Sequence, residues 1–158
     1  MSKASTLQQA SVPGQMARPG VYAIKTELRT LQSEQWQFLR QKTMYGGKAI
    51  TAGDTVYLFA SENSGGTGLV AKGCVIAAES VPRLIGVERQ TPRVSLIIAR
   101  TAFARQTLGR VELKGFTQWD DGRPETELNF KLYRQATDKI IGLSDVATAY
   151  LEGFFYEP

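Results

Sequence analysis

The sequence predicts a mostly β (α+β) domain: a small mixed or antiparallel β-barrel with short flanking helices. Three observations carry that prediction. Apolar runs of strand length recur along the chain, separated by short turns built from Gly, Asp and Ser. Strands joined by such turns favour antiparallel pairing. Only one segment, near the C-terminus, carries both a start and a stop signal for a helix, and neither an internal repeat nor a linker divides the 158 residues.

In chain order, residues 1–19 are rich in Ser, Gln and Ala, carry Pro13, Gly14 and Pro19, and show no sustained periodicity. They read as a flexible N-terminal tail, which leaves residues 20–158 as a single domain. Val21-Tyr22-Ala23-Ile24-Lys25-Thr26 reads as a short strand. In residues 30–41, Leu31, Phe38 and Leu39 share one helical face and neither Gly nor Pro interrupts, which predicts a helix ended by Gly46-Gly47.

Ala52-Gly53-Asp54 is a turn, and Thr55-Val56-Tyr57-Leu58-Phe59-Ala60 after it is a buried strand. Residues 61–68 form a loop by composition. The small, apolar run 69–78 returns as the second strand of a hairpin, with Gly73 marking a bulge. Residues 93–100 read as another buried strand, and the alternation in 109–114 as a half-exposed one. Residues 119–125 are a turn-rich loop and 129–133 a further candidate strand. Ser144 is a good N-cap, Asp145 suits the first helical turn and Gly153 stands at the stop. Val146 with Tyr150, and Ala147 with Leu151, are i,i+4 pairs on that helix, and Phe154-Phe155-Tyr156 after it is expected to pack on the body.

Composition narrows the chemistry. The chain has no histidine, which removes a Ser-His-Asp triad, a Cys-His dyad, a His-Cys zinc site and the usual general base. Cys74 is the sole cysteine, so an intrachain disulfide is impossible and the cytoplasm is the default compartment. No run approaches the roughly 20 apolar residues of a membrane span, and the N-terminus lacks a secretory apolar core. Asp120-Asp121 reads as a solvated acid pair and Gly65-Gly66-Thr67-Gly68 as a hairpin loop lacking the Lys-Ser/Thr ending of a phosphate loop. The expectation is therefore a binder without cofactor or metal, not an enzyme; the alternative that composition leaves open is an enzyme using lysine or carboxylate, for which no pairing of those residues stands out.

Charge points to the ligand. The formal net charge is +4, and residues 83–114 hold seven cations (Arg83, Arg89, Arg93, Arg100, Arg105, Arg110, Lys114) against two acids. Arginine forks suit phosphate oxygens, so a polyanion is the expected partner.

Several stretches then resemble the EVE domains of the PUA-like superfamily. Tyr22-Ala23-Ile24-Lys25-Thr26-Glu27 is similar to that family's aromatic strand with its Lys-Ser-Glu step, with Thr26 for serine and Leu28 for the usual proline. Met44-Tyr45 and Ala52-Gly53-Asp54 resemble its Asn-Tyr element and Val-Gly-Asp turn. Residues 56–61 resemble the strand ending Tyr-His-Ser, with Phe59 for tyrosine and Ala60 for histidine, and residues 69–75 the Gly-rich return strand. Leu132-Tyr133-Arg134-Gln135 followed by Leu143-Ser144 is similar to an Arg-Gln step before a short capped helix. The resemblance spans residues 20–153 and describes a divergent member. It implies a PUA-like barrel that binds nucleic acid, DNA or RNA, often through a modified base in an aromatic-lined pocket, beside a nuclease or other effector protein.

A flipped base needs flat surfaces to stack on and polar groups for its edge. Tyr45, Phe59, Trp119 and Trp36 are the candidate stackers; Tyr45 and Phe59 match the pocket positions that the resemblance implies, and Trp119 is a large ring in a polar loop. For Trp36 and Phe59 the competing reading is core packing. Thr26, Ser61 and Asn63 are candidates for the base edge, and Lys25 and Arg134 for phosphate or edge contacts. The rival to nucleic-acid binding is a protein-interaction or structural subunit of a larger assembly.

Overall fold

The computed structural model describes residues 20–135 and 138–156; the expected tail, residues 1–19, lies outside them. Six strands close into a barrel: β1 (Val21–Thr26), β2 (Gln35–Met44), β3 (Thr55–Ala60), β4 (Gly68–Ser80), β5 (Arg93–Phe103) and β6 (Lys139–Gly142), in the spatial order β1-β3-β4-β5-β2-β6. Three short helices flank it: α1 (Arg110–Leu113), α2 (Pro124–Leu128), which widens into a π-helical stretch (Asn129–Gln135), and α3 (Asp145–Glu152). The barrel is mixed. β1 runs parallel to β3 and β2 parallel to β6, while the remaining pairs are antiparallel.

Side-chain alternation splits the apolar residues into two cores. Tyr22 and Ile24 of β1, Val56 and Leu58 of β3, and Leu96 and Ile98 of β5 fill the barrel with Trp36. Ala23, Tyr57 and Phe59 point the other way and are covered by Leu113, Leu128, Leu132, Leu151 and Phe155 from the helical flank. β3 is thus buried on both faces, which is why its sequence is an unbroken apolar run. The C-terminal anchor is polar as well as apolar: Lys72 Nζ donates to both Glu152 oxygens at 2.8 Å, and Tyr57 Oη donates to the same carboxylate.

The strands expected at 21–26, 55–60, 69–78 and 93–100 are present, and the register of β4 against β5 shifts between Lys72 and Gly73, where a bulge was expected. Ser144 caps α3, its Oγ accepting from Ala147 N at 3.1 Å. Three expectations are corrected. Residues 35–44 form strand β2 rather than a helix: Trp36 and Phe38 alternate with exposed Gln35 and Gln37, and pair with Ile98 and Leu96 of β5. Residues 110–113 form helix α1 rather than a strand, because Glu112 reaches back to accept from Gly109 N at 2.7 Å while Val111 stays exposed. Residues 129–133 lie in the π-helical stretch rather than a strand: Leu128 and Leu132, four apart, enter the core together, and Asn129 Nδ2 donates to Phe116 O at 3.0 Å. Strand β6 had no counterpart in the sequence reading. Among the described residues, no helix is long and apolar enough to cross a membrane.

Candidate nucleic-acid interface

The sequence reading placed rings, hydroxyls and positive charge around one hollow. The structure distributes them over three places.

The first is the end of the barrel where the parallel strands β1 and β3 finish. Thr26 pairs with Ala60, and Ser61 N donates to Thr26 O at 2.9 Å. Here Lys25, Thr26, Ser61 and Asn63 come together. Lys25 is only 2% exposed, with its Nζ 4.7 Å from the Tyr133 ring centroid. Burial lowers its pKa, against the opposing pull of Glu62. Glu62 Oε2 accepts from Arg110 N at 2.7 Å and Tyr133 Oη at 3.0 Å, while its Oε1 is buried without a hydrogen-bond partner among the described residues. Asn63 Oδ1 accepts from Arg110 Nη2 at 2.9 Å, and Thr26 Oγ1 donates to Asp138. The Thr26 hydroxyl and the Asn63 amide oxygen are thus engaged by charged neighbours, Asp138 and Arg110.

The second is an open hollow of about 540 Å³ on the helical flank, within the usual size range of small-ligand sites. Tyr45, Trp119 and Phe130 supply flat walls, and Arg123, Lys131 and Val146 complete the rim. Trp119 is 78% exposed. Lys131 Nζ sits 5.1 Å from the Tyr45 ring centroid, and the Arg134 guanidinium 4.9 Å from that of Phe130, so Arg134 stands behind this wall. Glu127, the hollow's one acid, is engaged: Lys131 Nζ donates to it at 3.1 Å, and Ser144 donates through both N and Oγ. Burial would raise the pKa of Glu127, but those bonds outweigh it and hold the carboxyl below its ordinary value. Asp121, expected to be merely solvated, accepts from Arg123 N and Thr126 Oγ1 at the start of α2.

Phe59 belongs to neither place. It is fully buried beneath the helices, so the expected pocket shared by Tyr45 and Phe59 does not form. The outer face of β3 is roofed by α1–α3 and cannot receive a base. Trp36 is likewise core, its Nε1 donating to Thr30 O at 3.0 Å.

The third place is a cleft of about 950 Å³ between the second half of β2 with the turn after it and the long β4–β5 loop. Six cations line it (Arg40, Lys42, Lys48, Arg83, Arg89 and Arg93) and none of its lining residues is acidic. A bulge between Phe38 and Gln41 sets Arg40 at φ 53°, re-aiming that part of the strand. Cross-links close the cleft floor: Arg93 Nη1 donates to Arg40 O at 2.9 Å, and Thr43 Oγ1 to Pro92 O at 2.8 Å. Of the seven basic residues in 83–114, Arg83, Arg89 and Arg93 reach this cleft. Arg100 instead donates to the carbonyls of Gln32 and Ser33, and Arg110 turns to the barrel end. The sequence reading missed Arg40, Lys42 and Lys48: Arg40 fell within the helix expected over 30–41, and Lys42 and Lys48 fell outside both that helix and the arginine-rich segment 83–114. The alternation Gln35-Trp36-Gln37-Phe38 was the signal that could have found them. Among the described residues, no group of three or more His, Cys, Asp or Glu side chains is placed to hold a metal ion.

A mixed six-stranded barrel with this helical flank is a mostly β small barrel of the PUA-like type, the fold class expected from the sequence. Among solved structures, the chain superposes on the DUF55 domain of human thymocyte nuclear protein 1 with a TM-score of 0.59 at 13% identity, over 87% of this chain and 99% of that one. It is similar to human THYN1 protein in complex with DNA containing 5-methylcytosine (TM-score 0.57, 14% identity, 88% and 99% of the two chains). It is also similar to a protein of Pseudomonas putida (TM-score 0.57, 11% identity, 86% and 99%). No family profile and no curated protein matches the sequence. At such identities the likeness is one of fold.

Proposed function

We propose that this chain is a nucleic-acid-binding module that holds the phosphate backbone in the basic cleft and takes a base, a modified one, into the hollow of Tyr45, Trp119 and Phe130. The observation that carries the reading is the cleft: six cations converge from two segments distant in sequence, with no acid among them. Assembling like charges has an electrostatic cost, which the phosphates of a polyanion offset by neutralising them, and the counterions released from the polyanion favour binding further. The hollow supports the second part. It joins an exposed indole to a second and third ring, and base–aromatic stacking is worth roughly 1–3 kcal/mol per base. Tyr45 lies in the turn that follows Lys42 and precedes Lys48, so cleft and hollow meet at one short segment. The similarly folded human THYN1 protein in complex with 5-methylcytosine-containing DNA agrees with this reading. On it the chain is a reader rather than an enzyme, and a nuclease or other effector acts on what it holds.

The test is fluorescence anisotropy with labelled DNA and RNA, each with and without 5-methylcytosine, at several salt concentrations. Binding that weakens steeply with salt and is tighter for the modified strand is expected. No binding to any of the four at low salt overturns the proposal; binding indifferent to the modification overturns its second part.

A further inference from the structure

One exposed apolar segment has no role in the fold. The β4–β5 loop ends in Leu84-Ile85-Gly86-Val87, whose aliphatic side chains are all exposed, Ile85 completely so at 102% of its reference area. Scattered surface aliphatics are ordinary, but successive ones at a loop tip form a patch of the kind that marks an interaction surface.

The tip is held in shape. The Gln90 side chain grips it from below: Leu84 N donates to Oε1 at 2.8 Å, and Nε2 donates to Leu84 O at 2.8 Å and to Val87 O at 2.7 Å. Arg83 Nη2 donates to Glu88 O at 2.9 Å, and Gly86 makes the turn at φ 85°. Val81 N donates to Arg93 O at 2.9 Å, tying the loop's base to β5. A loop held this way presents its aliphatic residues without having to order them on binding.

Its surroundings select the occupant. Arg83, Leu84, Arg89 and Gln90 line the basic cleft, so the tip rises from the cleft's own wall, with Arg83 before it and Glu88 and then Arg89 after it. A ligand that is polyanionic outside and apolar between its stacked planes matches both features. We propose that Leu84, Ile85 and Val87 form a wedge that enters a base step of the nucleic acid held in the cleft and unstacks it. Apolar side chains between base steps are an established means of kinking and opening a duplex, and opening is what a base needs before it can leave the stack. The proposal rests on the reading of the cleft as a phosphate site.

The probe is duplex DNA carrying 2-aminopurine, whose fluorescence rises on unstacking. The variants are Ile85→Ser with Val87→Ser, two exposed side chains that belong neither to the core nor to the cleft lining, and Ile85→Phe, which keeps an apolar tip. The wild type is expected to raise the fluorescence several-fold, the double serine variant to bind with an unchanged salt slope but little rise, and Ile85→Phe to restore the rise. An equal rise with the double serine variant, or wild-type binding without any rise, overturns the wedge and leaves the cleft standing. Absence of salt-dependent binding by the wild type overturns both. Flotation of the wild type with anionic vesicles, or self-association in sizing, either one abolished by the serine pair, assigns the tip to a lipid surface or a second copy and overturns the wedge.

Discussion

Among the described residues, three other than glycine adopt left-handed backbone: Arg40 (φ 53°), Tyr45 (φ 52°) and Asp138 (φ 62°). That conformation costs a side-chain-bearing residue roughly 1–2 kcal/mol, so it persists where the surroundings impose it. Arg40 lines the cleft, Tyr45 lines the hollow, and Asp138 accepts from Thr26 at the barrel end. The Tyr45 carbonyl accepts from Gly142 N at 3.1 Å, and a Cβ on Gly142 would press on that oxygen. Trp119 carries a sharper expectation. It is mostly exposed, so Trp119→Ala should change stability by less than about 0.5 kcal/mol, as surface substitutions do, while removing a stacking platform worth roughly 1–3 kcal/mol. Thermal unfolding beside a binding titration checks both; a large loss of stability would make the ring a structural clamp. Trp119 was legible in the sequence because a large ring in a polar loop has no core to enter. The burial of Phe59 was legible as well, as core packing within an apolar strand; what roofs it was not, since those residues come from helices tens of positions downstream.

Among the elements, the α2–α3 junction is held by one carboxylate. Glu127 accepts from Lys131, from Ser144 N and from Ser144 Oγ, and Ser144 in turn caps α3. The folded-state pKa of Glu127 lies below its ordinary 4.5, and that of Glu152 is lowered too, its bonds from Lys72 and Tyr57 outweighing burial. A depressed carboxyl pKa contributes stability that is full above the unfolded value and is lost as pH falls through the folded one. Glu127→Gln should therefore cost about 1.5–3 kcal/mol at neutral pH, the range for hydrogen bonds to a charged group, and little at a pH below the folded pKa. Urea unfolding of both proteins at neutral and strongly acidic pH measures the difference; a cost that does not shrink on acidification would contradict the account. Elements with local signals were legible: the doubly buried β3, the β4 bulge at Gly73, and α3 with Ser144 and Asp145. Elements that depend on partners were not. β2 is a strand because β5 and β6 lie on either side of it, and β6 has only four residues, too short to show a period of its own.

At the scale of the whole molecule, function depends on where charge gathers. Replacing Lys42, Lys48 and Arg89 by glutamine should leave the fold intact, since all three side chains are exposed, and should make the salt dependence of binding shallower. Each phosphate that is no longer neutralised takes about 0.9 from the slope of log K against log salt, so three take roughly 3. Titrations at graded salt measure it, and an unchanged slope would move the phosphate site elsewhere. Composition and local pattern determined that the chain is a mostly β barrel with an arginine-rich segment and no histidine chemistry, because apolar period, turn residues and residue types are written along the chain itself. Only the tertiary structure decided which cations share a cleft, that Tyr45 meets Trp119 rather than Phe59, and that Lys25 is buried. Those neighbours are brought together by barrel closure across long sequence separations, and a linear pattern records which face a residue takes but not what stands opposite it.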